Sequence, residues 1–147
     1  MNRYSNERAT ILLVEDNPGD VRLTREALAE GEIDASLDVV TDGVSALEYL
    51  RQRGEYADVE PPALVLLDLN LPRKSGDEVL AEIREDPDRS RLPVIVLTSS
   101  NADEDVARSY DLSANAYLTK PIDADHFVEA IRAMERFWLR DVHLPPE

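Results

Sequence analysis

The chain contains no cysteine and only two histidines among its 147 residues. Thiolate and imidazole are the ligands that soft metals such as zinc prefer, so their scarcity argues against a soft-metal site. The sequence also shows no signal peptide and no apolar run long enough to cross a membrane. We therefore expect a soluble cytoplasmic protein without a membrane partner.

Lysine is almost absent, and acidic residues dominate the charge. The 31 acidic residues outnumber the 16 basic ones, which gives a formal net charge of −15. Such a chain repels the phosphate backbone, so nucleic acid is not expected as a partner. An acidic, lysine-poor composition is typical of a halophilic protein that stays soluble in concentrated salt. An arginine-rich genome that encodes an ordinary acidic protein is the alternative.

The segment 63–67 (ALVLL) is apolar at every position and is followed directly by Asp68. Because apolar and polar residues do not alternate, the segment predicts a strand covered on both faces, as in a parallel sheet. Ligands of open α/β sheets bind beyond the carboxyl ends of the strands. Asp68 is therefore the leading candidate for a reactive residue, although an aspartate that merely ends a strand would give the same pattern.

Three further apolar segments end in polar residues, which predicts a shared site at one edge of the sheet. Segment 10–14 leads to an acidic pair, segment 92–97 to a hydroxyl and segment 114–118 to an ammonium group. The residues concerned are Glu15 with Asp16, Thr98, and Lys120, which is one of only two lysines in the chain.

These residue types fit the chemistry of phosphoryl transfer. Two carboxylates about 4 Å apart repel each other by roughly 4 kcal/mol at an effective dielectric near 20, so neighbouring Asp16 and Asp68 side chains would need a cation between them. Mg²⁺ suits a site of one or two carboxylates with water and phosphate oxygens. An aspartate can form an acyl phosphate, and the loose transition state needs positioning and charge neutralisation more than acid–base help.

The motifs ILLVEDN, LLDLNLP, VLTSS and AYLTKP resemble, in order and spacing, the receiver domain of two-component response regulators over residues 8–136. The insertion at 52–62, the segment LNLPRKSGDEVLAEIRED and the terminal FWL resemble more narrowly the small single-domain regulators that partner bacterial phytochromes. The resemblance implies a phosphoacceptor signalling protein with self-catalysed phosphorylation and dephosphorylation, rather than an enzyme with external substrates. Its partner would be a histidine kinase, of phytochrome type if the narrower resemblance holds.

Alternating strand and helix signals predict one α/β domain with a parallel sheet. The resemblance implies a flavodoxin-like fold with five strands in the order 2-1-3-4-5, flanked by five helices. The helix starts are indicated by Asn17-Pro18, Asp42-Gly43, Ser75, Asn101 and Asp123. The first helix is expected to end near Gly31 and the second at Gly54.

The resemblance also implies metal ligands. Asp68 would be the phosphoacceptor and one carboxylate ligand of Mg²⁺, and Asp16 would bind the ion directly. Asn70 would contribute its backbone carbonyl. Glu15 would act mostly through bound water.

Four residues would handle the phosphoryl group and the switch. Lys120 would pair first with Asp68 and then with the phosphoryl group, and Thr98 would supply the switch hydroxyl. Tyr117 occupies the position of the switch aromatic, although a half-buried strand tyrosine would look the same. The peptide bond before Pro121 is expected to be cis, a state found almost only before proline.

The remaining segments lie outside the receiver domain. Residues 1–7 are expected to be disordered, and residues 137–147 are expected to form an apolar C-terminal extension without an output domain. Exposed Phe, Trp and Leu close together usually mark a contact surface, so the extension would pack against a second copy, giving a homodimer, or against a partner. A frayed terminus is the alternative, and the insertion at 52–62 is either a plain loop or a partner-facing one.

Three other functions compete with this interpretation. A haloacid-dehalogenase-type phosphohydrolase needs a second carboxylate two residues after its nucleophile, where this chain has Asn70. A flavodoxin-like cofactor binder needs a first loop rich in Ser, Thr and Gly, but residues 15–18 read EDNP and would repel a phosphate. A receiver-like scaffold that works without phosphate stays open as a further alternative.

Overall fold

Five parallel strands form the central sheet in the computed structural model, which describes residues 9–99 and 114–135. The strands are β1 (Ala9–Val14), β2 (Ala35–Val40), β3 (Leu64–Asp68), β4 (Val94–Thr98) and β5 (Ala116–Thr119). Their order across the sheet is β2-β1-β3-β4-β5, and every neighbouring pair is parallel. The predicted flavodoxin-like order 2-1-3-4-5 is confirmed.

Four α-helices lie within the part of the chain that the structure describes. They are α1 (Pro18–Glu30), α2 (Gly43–Leu50), α3 (Gly76–Glu85) and α4 (Ala124–Glu135), with a short 3₁₀ helix at Gly54–Tyr56. Among residues 9–99 and 114–135, we find no helix with the length and apolar character needed to span a bilayer. The helix predicted from Asn101, the N-terminal segment 1–7 and the extension 137–147 lie outside the described residues.

The apolar residues of the central strands are buried on both faces of the sheet. Every residue of β3 and β4 is buried, as the lack of alternation in their sequences predicts. Helices α1 and α4 cover one face, and α2 and α3 cover the other. Representative core residues are Leu13, Leu66 and Phe127 on the first face, and Val14, Val65 and Leu80 on the second.

Polar caps begin the helices where the sequence predicts them. The side chain of Asn17 accepts the backbone N–H of Asp20 at 3.0 Å, and Pro18 follows as the first helical residue of α1. Ser75 and Glu78 form the predicted capping box of α3. Because each cap fixes where a helix starts, it also fixes the loop that leads there from the preceding strand end.

The predicted end of the second helix is wrong. We expected Gly54 to end it, but α2 ends at Leu50 and the chain turns at Gln52, which has a φ of 55°. The Gln52 side-chain amide donates to the carbonyl of Val59 at 2.6 Å, so the insertion folds back on its own start. Val59 lies seven residues after Gln52, so the helical pattern of α2 gives no information about this contact.

Candidate functional site

The carboxyl ends of four strands bring the predicted residues to one edge of the sheet. Glu15 directly follows β1, Asp68 ends β3, Thr98 ends β4 and Lys120 directly follows β5. The side chains of three of them are shielded from solvent, since Glu15, Asp68 and Thr98 are only 1%, 3% and 2% exposed. Asp16 is exposed, so water can enter the site on that side.

Lys120 lies at the centre of an acidic group of side chains. Its Nζ donates to Glu15 Oε1 at 2.8 Å, to Asp20 Oδ2 at 3.0 Å and to Asp68 Oδ2 at 3.3 Å. Only 10% of the lysine side chain is exposed. One ammonium thus faces three carboxylates, with Asp16 as a fourth acid close by. The site therefore carries an excess of negative charge that a further cation would neutralise.

The surroundings shift the pKa values of Lys120 and Glu15. Burial opposes the charge on Lys120, but its hydrogen bonds to Glu15 and Asp20 and the charge of Asp68 raise its pKa above the ordinary value. Burial raises the pKa of Glu15, the hydrogen bond from Lys120 acts in the opposite direction, and the charge of Asp68 raises it again. Lys120 is therefore charged at neutral pH, and its contribution to stability is lost only as the pH rises above 10.5, the ordinary value.

A hard divalent cation fits the acidic residues of this site. Glu15, Asp16 and Asp68 each offer a carboxylate oxygen, and these three atoms lie within 4.8 Å of one another. Carboxylate oxygens together with access for water are the donors that ions such as Mg²⁺ and Mn²⁺ accept. The carboxylates that the sequence predicts to lie side by side are therefore close enough for one cation to bind between them.

The two oxygens of the Asp68 carboxylate have different partners. Oδ1 accepts the backbone N–H of Asn70 at 3.1 Å, while Oδ2 accepts the Lys120 ammonium. Asn70 itself is exposed, in the loop that leads from β3 to α3. This loop therefore helps to set the orientation of the Asp68 carboxylate.

The other predicted residues lie on the β4 and β5 side of the site. The backbone N–H of Lys120 donates to the carbonyl of Thr98 at 2.7 Å, which holds the ends of β4 and β5 together. Tyr117 is 37% exposed, so its ring lies at the surface of β5 rather than in the core. The peptide bond between Lys120 and Pro121 is cis.

Asp20 belongs to the site but was not predicted from the sequence. It is an acidic residue in the first turn of α1, three residues after the cap Asn17. Side chains of a helix lean toward its N-terminus, so an acid in this turn faces the strand end from which the helix starts. The spacing from the N-cap is the signal that could have found it.

Comparison with known proteins identifies the family. The response regulator receiver domain matches residues 11–132, which is most of the chain. The chain belongs to this family. It is also 47% identical over 145 residues to Response regulator Rcp1 of Synechocystis sp. (strain ATCC 27184 / PCC 6803 / Kazusa), covering 99% of this chain and 99% of that protein.

Solved structures of similar proteins share the fold. The phosphorylated cyanobacterial phytochrome response regulator RcpA is 46% identical, with a TM-score of 0.76 over 95% of this chain and 100% of that one. The Mn²⁺-bound form of Rcp1 gives a TM-score of 0.73 at 47% identity, over 94% of this chain and 99% of that one. The bacteriophytochrome response regulator AtBRR gives 0.81 at 42% identity, over 90% and 96%.

Proposed function

We propose that this receiver domain accepts a phosphoryl group on Asp68 from a phosphohistidine of a partner histidine kinase. A carboxylate oxygen of Asp68 attacks phosphorus in line, the phosphorus–nitrogen bond breaks, and the kinase imidazole leaves with a proton from solvent. The observation that carries the proposal is the position of Asp68: it is buried at a strand end, bonded to Lys120 and grouped with Glu15 and Asp16.

The same residues support a Mg²⁺ site. Asp16 and Asp68 would be carboxylate ligands, Asn70 would offer its backbone carbonyl and Glu15 would act through bound water. When bound, the ion would neutralise the charge that gathers on the transferring group. The grouping of the three carboxylates supports this site, as does the similarity to Rcp1, for which a Mn²⁺-bound structure exists.

Lys120, Thr98 and Tyr117 would turn phosphorylation into a signal. The phosphoryl group adds roughly 1.5 to 2 negative charges, and the Lys120 ammonium would move its contacts from the carboxylates to the new oxygens. The Thr98 hydroxyl would move toward the phosphoryl group and hydrogen-bond it. Tyr117 would then move from the surface into the space that Thr98 leaves. The phosphate would favour one of two existing conformations through these contacts.

Our proposal extends to the partners of the protein and to its cell compartment. Similarity to cyanobacterial and bacterial phytochrome response regulators supports a phytochrome-type kinase as the phosphodonor. The apolar extension 137–147 would bind a second copy, giving a homodimer. We place the protein in the cytoplasm, where such a kinase would present its phosphohistidine.

Phosphorylation at Asp68 can be tested by mass. Incubated with Mg²⁺ and acetyl phosphate, the chain should gain one phosphoryl group, because the site supplies its own positioning and charge neutralisation. Asp68→Asn should abolish the gain, since an amide is not nucleophilic. Intact-mass spectrometry measures both.

Asp88→Asn is the matched control, because Asp88 is an exposed aspartate of the loop between α3 and β4, which leads into the opposite edge of the sheet. It should be phosphorylated like the parent. An unmodified parent chain would support the phosphate-independent scaffold, and continuous release of phosphate from added phosphomonoesters would support a phosphohydrolase. A gain that survives in Asp68→Asn would place the acceptor elsewhere.

We also propose that the protein is halophilic. Its net charge of −15 makes the folded state repel itself, and molar salt shortens the range of that repulsion to about 3 Å. The melting temperature should therefore rise by more than about 5 °C between low salt and molar KCl. Differential scanning calorimetry measures it, and a flat response would favour the arginine-rich-genome explanation.

A further inference from the structure

The loop between β3 and α3, residues 69–75, is here called the acceptor loop. Its Asn70 N–H holds Oδ1 of Asp68 at 3.1 Å, so a shift of this loop would turn the carboxylate. Within the loop, the N–H of Lys74 donates to the carbonyl of Pro72 at 2.7 Å, which forms a tight turn. The acceptor loop therefore orients one oxygen of the Asp68 carboxylate, while Lys120 holds the other.

The acceptor loop is packed against the N-terminus of α2. Arg73 Nη1 lies 3.2 Å from Oδ2 of Asp42, the N-cap residue of α2. Next to it, a Cβ placed on Gly43 would lie only 2.0 Å from the carbonyl oxygen of Lys74, so only glycine allows this approach. The start of α2 and the turn of the acceptor loop therefore touch through backbone as well as through the ion pair.

Hydrogen bonds within α2 hold the Asp42 carboxylate in place independently of Arg73. Its Oδ1 accepts the backbone N–H of Ser45 at 2.7 Å, and its Oδ2 accepts the Ser45 hydroxyl at 3.0 Å. Burial raises the pKa of Asp42, but the hydrogen bonds from Ser45 and the charge of Arg73 together bring it below the ordinary value. Asp42 thus presents a charged, oriented oxygen to the loop.

Arg73 adopts a backbone conformation that is uncommon for a residue with a side chain. Its φ is 68°, in the left-handed region, which costs about 1 kcal/mol or more and persists only when neighbouring contacts fix it. The ion pair with Asp42 is such a contact. Because 58% of the Arg73 side chain is exposed, the pair contributes little to global stability, so it can be removed in a protein that still folds.

We propose that Asp42 is a positioning residue for phosphoryl transfer: through Arg73 it fixes the acceptor loop, so that the Asn70 N–H holds the Asp68 carboxylate in its reactive orientation. This inference rests on the proposed function of Asp68. It assigns a role in the reaction to a residue that follows β2, a strand that supplies none of the predicted site residues.

Two single variants test the inference with the full chain, Mg²⁺ and acetyl phosphate. Asp42→Asn keeps a side chain that can cap α2 but loses the charge facing Arg73. Arg73→Gly removes the pair and relaxes the backbone. Each should lower the phosphorylation rate roughly tenfold with little change in melting temperature, as expected when a reacting group is misplaced by less than an ångström or so. The double variant should be no slower than either single one.

The controls separate positioning from a merely structural role. Arg73→Lys keeps a cation facing Asp42 and should recover most of the rate, whereas Arg22→Gln, in the exposed Arg22–Glu26 pair of α1, should leave it unchanged. In the Arg73→Gly variant, the Asn70 amide should exchange with solvent faster, as followed by NMR. Because the Arg73 side chain is mostly exposed, Arg73→Gly should fold, so it tests the positioning role even if Asp42→Asn does not fold.

The outcomes are distinct from failure of the proposed function. If the unsubstituted chain takes up no phosphate, the proposed role of Asp68 as phosphoacceptor is wrong. A phosphorylated parent with full rates in both single variants overturns only the positioning role of Asp42. A slower Arg73→Gly variant whose Asn70 amide stays as protected as in the parent overturns it as well, because the loop has then not moved.

Discussion

Replacing Lys120 with methionine should lower the free energy of unfolding by about 3 kcal/mol or more at neutral pH without divalent cations. Methionine keeps the apolar stem but removes the ammonium that bridges Glu15 and Asp68. The side chains of Glu15 and Asp68 are only 1% and 5% exposed, so water that enters beside Asp16 solvates these two carboxylates poorly. Removing one partner from a buried group of charges leaves the others uncompensated, and this destabilises a protein more than replacing the whole group with apolar residues would.

Magnesium should restore part of the lost stability. A divalent cation that binds the folded state stabilises it by mass action, and in the variant it also supplies the missing positive charge. Urea denaturation at pH 7.5, with and without Mg²⁺, should therefore show a larger effect of Mg²⁺ on Lys120→Met than on the parent. The measurement reports on the site without any phosphorylation.

Lys74→Met is the matched control, because Lys74 is the other lysine of the chain and pairs with Glu82 at the surface. Both side chains are about 30% exposed, so the loss of this pair should lower the free energy of unfolding by less than about 1 kcal/mol. That loss should be the same with and without Mg²⁺. A Lys120→Met protein as stable as Lys74→Met in metal-free buffer would show that the acidic group does not depend on its lysine.

Sequence reasoning succeeded where a strand alone determines the position of a residue. Parallel strands end at a common edge, so Glu15, Asp68, Thr98 and Lys120 could be placed together from four apolar segments. Their convergence needs no knowledge of loops, since the residues either end a strand or follow it directly. The same argument yields the sheet order only with the family resemblance, because apolar segments do not say which strands are neighbours.

Sequence reasoning failed where contacts between loops and helices decide. Asp20 reaches Lys120 from the first turn of α1, a contact that the strand ends do not predict and that only its spacing from the Asn17 cap could have indicated. The pair of Asp42 and Arg73 joins positions 31 residues apart through a left-handed backbone at Arg73. Arginine carries no signal for such a conformation, unlike glycine or asparagine.

Gly76→Ala should both destabilise the protein and impair phosphorylation at Asp68. Gly76 is the first residue of α3, where alanine would ordinarily be favoured over glycine by up to about 1 kcal/mol. Here an added Cβ would lie 2.1 Å from the carbonyl oxygen of Asp68 and 2.6 Å from Cα of Leu69. Both are backbone atoms, which cannot rotate away as a side chain could.

The helix must therefore move from the strand end, or the backbone of the acceptor must shift. We expect a loss of roughly 1 to 3 kcal/mol, as for other overpacked sites, and a clear drop in phosphorylation rate. Gly19→Ala in the first turn of α1 is the matched control, since its nearest contact is a side-chain oxygen of Asn17 at 3.1 Å. Urea midpoints and phosphorylation rates of both variants give the comparison. If Gly76→Ala and Gly19→Ala have the same urea midpoint and the same phosphorylation rate, α3 can shift without moving Asp68. The orientation of the Asp68 carboxylate would then not depend on this contact.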